Sequence, residues 1–250
     1  MIERRSGWSR RVRLPFWNRA EQRPRALWRV LGALVVVLSV PSIVGAVVLR
    51  PLDLPMSLVQ LASNALAALV ALVVLLLWAR YVDRRELRAY GFRLDGAWWR
   101  MLALGALVGL LGWGGALATD LAFGWASVAA LLSPGTGGMS FLPSFLSFAL
   151  AWVFVGVWEE VVFRGIVMRN AIEGLNGTWI PRRWALVGGW VVSSVLFGVL
   201  HFGQASSPLA LVFWIAAGLV LGLAYLLTGQ LAVPIGLHVA FDLGVNNVFG

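Results

Sequence analysis

Three carboxylates, two histidines and one arginine stand inside apolar stretches of this chain, at spacings that suit acid–base chemistry. The first stretch reads Trp158-Glu159-Glu160-Val161-Val162-Phe163-Arg164. Adjacent residues on a helix project about 100° apart, so the two glutamates face different surroundings. Glu160 and Arg164 are spaced i, i+4 in the acid-first order that favours an ion pair. That makes Glu160 a structural anion supported by Arg164 and leaves Glu159 as the reactive carboxylate. The second stretch, Phe197-Gly198-Val199-Leu200-His201, puts Phe197 and His201 on one helix face. The third, His238-Val239-Ala240-Phe241-Asp242, repeats the i, i+4 spacing, and a carboxylate there can hold the imidazole and fix its tautomer.

An ionisable group at mid-bilayer costs roughly 2.5–3.5 kcal/mol on insertion scales, and such groups usually face the bundle interior and carry function. Each has a plainer reading as well. Glu160 and Arg164 could snorkel at a helix end. His201 could be a satisfied core group, and His238 with Asp242 a polar pair that glues helices together.

The surrounding elements read as membrane helices. Hydrophobic residues make up 60% of the 250 positions and charged residues 12%. A soluble chain of this size could not hide so much apolar surface, whereas a bilayer is itself the apolar solvent. Runs of about 18 or more apolar residues predict spans at 30–49, 58–79, 101–118, 144–168, 184–202, 209–227 and 231–249. The third could extend past Asp120 to Leu132. The expected fold is therefore all-α, a polytopic bundle of seven or eight transmembrane helices. The pieces are a basic segment at 1–29, N-terminal helices with an amphipathic loop at 30–143, and a catalytic bundle at 144–250. The breaks carry turn residues: Arg50-Pro51-Leu52-Asp53-Leu54-Pro55, Ser133-Pro134-Gly135-Thr136-Gly137-Gly138, and Thr228-Gly229-Gln230. If spans four and five form a hairpin closing around 172–183, Glu159 and His201 differ in depth by about 7 Å, near one helical turn.

The net charge of +9 comes entirely from arginine, for the chain has no lysine. Nine arginines lie in the first 29 residues and six between Arg80 and Arg100, flanking apolar runs. That pattern fits anionic head groups and topology signals and argues against nucleic acid. With Arg169, Arg182 and Arg183 they fall on one side of an alternating topology, so the N terminus is expected in the cytoplasm. The Arg80–Arg100 loop, with Trp98 and Trp99, reads either as an amphipathic piece on the interface or as a solvated topogenic loop. Asn176-Gly177-Thr178 matches a glycosylation sequon but falls on the cytoplasmic side. There is no cysteine, which excludes disulfides, thiolate nucleophiles and cysteine metal sites.

Glu-Glu-x-x-x-Arg, then Phe-x-x-x-His, then His-x-x-x-Asp, in that order on separate spans, resembles the CPBP family of CAAX proteases and bacteriocin-processing (Abi) intramembrane proteases. The likeness covers about 144–249. It implies a seven- or eight-helix membrane protease opening to the cytoplasm, acting on a membrane-associated protein or peptide that is in some members lipid-modified. It implies that Glu159 with His201 activates a water, that His238 and Asp242 stabilise the oxyanion, and that Glu160 and Arg164 support them. An ionised Asp242 has no proton to donate, so either its carboxyl is protonated, as an apolar site can enforce, or it acts through His238. Metal-free glutamate chemistry, with no cofactor, is the favoured reading. The alternative is zinc held by Glu159, His201 and His238. Arginine-only usage and short loops point to a bacterial inner membrane. Buried acid–histidine pairs also serve proton relays in transporters, but those predict broken helices or repeats in both halves, and the polar residues here sit in the second half only. A non-catalytic membrane scaffold is the remaining reading.

Overall fold

Proline, glycine and left-handed turns set the helix ends. The computed structural model describes residues 16–19, 21–133, 139–176, 180–204 and 207–248. Seven main helices follow in order: α1 Ala26–Leu52, α2 Met56–Val82, α3 Gly96–Ala122, α4 Phe141–Leu175, α5 Arg182–Leu200, α6 Pro208–Thr228 and α7 Ala232–Leu243. Among the described residues, the first six are long and apolar enough to cross a membrane. Helix α7 is shorter, but π-type turns carry it on to Val248. A two-residue antiparallel pairing, Trp17–Asn18 with Arg23–Pro24, precedes α1. The chain is a helical integral membrane bundle. Most of the basic N-terminal segment, the 134–138 loop, Gly177-Thr178 of the sequon and Phe249 lie outside the described residues.

The third helix does not extend to Leu132. It stops at Ala122 because Gly124 turns left-handed (φ +70°) and Trp125 N–H bonds back to Asp120 O, leaving the following residues non-helical. Helix α4 runs further than its apolar run, to Leu175, with Val161–Met168 wound as π-type turns directly after the two glutamates. Such insertions occur often at functional sites. Here the whole wound segment is buried, from Val161 to Met168.

At one end of the bundle the arginines gather. Buried Arg29 on α1 pairs with Asp83 after α2 (2.5 Å) and with Glu173 on α4 (2.6 Å). Arg23 and Arg85 also pair with Glu173. Tyr90 donates its hydroxyl to Asp83. Burial, and then the Asp83 carboxylate, pushes the Tyr90 phenol up, so it stays a donor. In the Arg80–Arg100 loop, Tyr90 and Trp98 are buried while Trp99 is exposed. Gly91, in a left-handed turn (φ +95°), accepts from Trp98 Nε1 and from Leu231 N, which pins the loop to the start of α7.

Helices α3 and α7 meet through small residues. A Cβ on Gly236 would lie 2.0 Å from Leu102 O, and one on Gly105 would lie 2.3 Å from Val233 O. Only glycine permits this approach, the usual device where helices pack in lipid. It fixes α7, and with it His238 and Asp242.

Candidate functional site

His201 is the last-turn residue of α5. Its own N–H bonds Gly198 O in a tightened turn, which leaves Phe197 O without its regular helical partner. The imidazole fills that role, with Nδ1 donating to Phe197 O at 2.8 Å. A carbonyl only accepts, so Nδ1 carries the proton and a neutral His201 presents a bare Nε2. Trp214 of α6 stacks on the ring at 4.5 Å, and Phe197 packs against the same ring at 4.6 Å.

His238 sits in the middle of α7. Its Nδ1 lies 2.8 Å from Glu160 Oε1, and the same oxygen accepts from Arg164 Nη1 at 2.9 Å. Arg164 also donates to Gly218 O on α6 at 3.0 Å. The guanidinium lies over the Phe197 ring. Glu160 and Arg164 are both fully buried. The arrangement differs from the expected pairing of His238 with Asp242. Asp242 Oδ2 is 3.5 Å from His238 Nε2, at the limit of a hydrogen bond, and the carboxylate that orients the ring comes from α4. The i, i+4 spacing put Asp242 within reach, but the cross-helix glutamate has the shorter path to Nδ1.

Both Nε2 atoms point at Glu159. His201 Nε2 and His238 Nε2 each lie 3.8 Å from Glu159 Oε2. That is too far for a direct hydrogen bond and near enough for a single water to join them. Among the described residues, Glu159 Oε2 and Asp242 Oδ2 are buried with no hydrogen-bond partner. The expected convergence of spans four, five and seven is thus present in the geometry. The depth offset closes because the connection runs from Leu175 to Arg182: Glu159 lies about 24 Å before it and His201 about 28 Å after it.

These groups line a cavity of about 390 Å³, together with Gln60, Asn64, Trp113, Trp152, Trp158, Phe213, Trp214 and Phe241. Trp214, Asn64 and Gln60 were invisible to sequence reasoning, since aromatics and amides are common throughout these spans. A larger groove of about 660 Å³ lies at the basic end between α1, α4 and α5, beside Arg29 and Glu173. Those two charges are committed to each other, so the chemistry belongs to the smaller cavity.

Zinc would need its donors closer. Four ligands at about 2.0–2.1 Å from one ion stand roughly 3.3–3.4 Å apart. The 3.8 Å separations are wider, and among the described residues no group of three His, Cys, Asp or Glu side chains is placed to hold a metal ion.

Residues 140–244 match the family model described as type II CAAX prenyl endopeptidase Rce1-like. No curated protein and no solved structure matches the chain. The matched segment begins at the residue before α4 and ends just past α7, so it holds both glutamates, both histidines and Asp242. Residues 140–244, which hold helices α4 to α7, are thus similar to the Rce1-like type II CAAX prenyl endopeptidases, a likeness that matches the CPBP/CAAX protease family.

Proposed function

We propose that this chain is an intramembrane endopeptidase that hydrolyses a peptide bond of a membrane-associated protein or peptide. The observation that carries the reading is the convergence of Glu159 Oε2 with two imidazole Nε2 atoms, 3.8 Å from each, in one buried cavity. A water held between them gives one proton to Glu159 while the bare Nε2 of His201 accepts its other hydrogen bond. The hydroxide attacks the peptide carbonyl. His238, whose Nδ1–H is held by the Glu160 carboxylate, donates from Nε2–H to the oxyanion, a task worth several kcal/mol in a site shielded from water. Asp242 acts there through His238, or as a protonated donor. Glu159 then returns the proton to the leaving amine as the C–N bond breaks. The proposed reaction uses no metal.

The substrate side is apolar. A cleft of about 270 Å³ lined by Phe197, Phe213, Trp214, Leu221, Leu237 and Phe241 adjoins His238. It suits an apolar side chain or a lipid modification of the substrate.

The test is cleavage of peptide and membrane-anchored substrates by purified protein, wild type against His201→Ala. Loss of cleavage in the variant, with its melting temperature kept, supports the reading. An equally active variant discards the water-activating pair.

A further inference from the structure

Glu159 and the two histidines serve the scissile bond alone. A peptide held in a cavity shielded from water also needs a donor for each flanking carbonyl and an acceptor for each flanking N–H. Amide side chains are the neutral groups suited to this, because each offers both. Helix α2, which lies outside the matched residues 140–244, brings two of them to the cavity. Gln60 and Asn64 are spaced i, i+4 and line it beside Glu159, His201 and His238. Asn64 is fully occupied. Its Oδ1 accepts from Trp158 Nε1 at 3.4 Å, and its Nδ2 donates to Gln60 O at 3.0 Å and to Gln60 Oε1 at 3.2 Å. The last bond holds the oxygen of the Gln60 amide, while among the described residues its Nε2 has no partner. Asn246, just past α7, is the counterpart in the same lining. Its Nδ2 donates to Asp242 O at 3.1 Å, and among the described residues its Oδ1 has no partner.

The spare donor and the spare acceptor lie on one side of the reacting groups. Helices α2 and α4 run parallel: Trp158 donates to Asn64 early on α2, and Asn170, further along α4, donates to Asp83 just beyond α2. Gln60 is therefore one turn, about 6 Å, from Asn64 towards the Trp152 level of α4. Helix α7 runs the other way: His238 meets Glu160, whereas Asn247 accepts from Trp152 Nε1 and donates to Phe145 O. Asn246 thus stands at the Trp152 level too. An extended peptide advances about 3.3 Å per residue, so a 6 Å step covers about two residues. We infer that Gln60 is a substrate-binding residue whose Nε2 donates to a backbone carbonyl about two residues from the scissile bond. Asn246 Oδ1 accepts a backbone N–H of the same stretch, and Asn64 is the positioning residue that aims the Gln60 donor. The site then takes its substrate as an extended strand held by the main chain. This assignment rests on the protease reading.

Steady-state kinetics test it, with one peptide substrate and a set of analogues in which a single backbone amide near the scissile bond is replaced by an ester. The ester is a weaker acceptor and lacks the N–H. Gln60→Met keeps the side-chain length without the donors, and Gln60→Ala removes the side chain. Both are expected to raise KM about tenfold with kcat within twofold of wild type. KM does not depend on how much of a preparation is folded, so a purely structural role would not move it. One ester, about two residues from the scissile bond, is expected to raise KM for wild type and to add nothing in Gln60→Met. An unchanged KM, a fall in kcat alone, or an ester effect undiminished in Gln60→Met overturns the assignment and leaves the protease reading standing. A wild type that cleaves none of the peptides overturns both.

Discussion

Glu160 Oε1 is shared by His238 Nδ1 at 2.8 Å and Arg164 Nη1 at 2.9 Å. One buried carboxylate thus ties three elements together: its own helix α4, His238 of α7 and, through Arg164, the Gly218 carbonyl of α6. The pair expected to be structural support is also the orienting group of the proposed oxyanion donor.

Removing that charge should show in two readouts. Glu160→Gln leaves an amide oxygen for Nδ1 but strands Arg164 as an uncompensated buried cation, a loss of about 3–5 kcal/mol. Thermal unfolding in detergent should register it. Turnover per folded molecule should fall by about a hundredfold, as expected when an oxyanion donor is weakened. Unchanged turnover would make Glu160 a purely structural residue.

Trp214 stacks on His201 at 4.5 Å and has no polar role in the site. Trp214→Ala should cut kcat by about tenfold by releasing the ring, an effect of misplacement. Trp214→Phe should restore most of it. A change confined to KM would assign Trp214 to substrate contact instead.

The donor spacing predicts indifference to chelation. Activity after treatment with EDTA and passage over a desalting column should remain within the scatter of the untreated sample. Loss on chelation, with recovery on adding zinc, would overturn the metal-free reading.

The arginine cluster should matter for folding and not for chemistry. Asp83→Asn removes one of the two carboxylates that pair with Arg29, Glu173 being the other, and leaves the Tyr90 hydroxyl a neutral acceptor in place of a charged one. It should destabilise by about 1.5–3 kcal/mol, because charged hydrogen bonds to buried groups are lost while Arg29 keeps Glu173. The rate per folded molecule should not change, since Glu173 of the cluster lies fourteen residues, about 21 Å, along α4 from Glu159.

Much of this was legible in the chain. Apolar runs located the helices because lipid demands about twenty apolar residues per span. Gly229, at φ +64°, ends α6 where the Thr228-Gly229-Gln230 break was read. The acid–histidine residues stood out because charge in such runs is costly. Other features depend on tertiary approach, which spacing along one helix cannot express. The Glu160–His238 bond joins residues on different helices. Arg29 looked like a topology signal, but it is buried because Asp83 and Glu173 come to it from two other segments. The polar tail of α4 gave no sign in the sequence of continuing as helix to Leu175.

Purified wild type and Glu159→Gln, compared for cleavage of one membrane-anchored substrate under identical conditions, test the central claim most directly. Glu159 Oε2 has no protein partner, so the substitution should leave the melting temperature intact or raised. The rate should fall by about 10²–10⁴-fold, the usual contribution of a general base. A variant that cleaves at nearly the wild-type rate would show that this carboxylate does not activate the water.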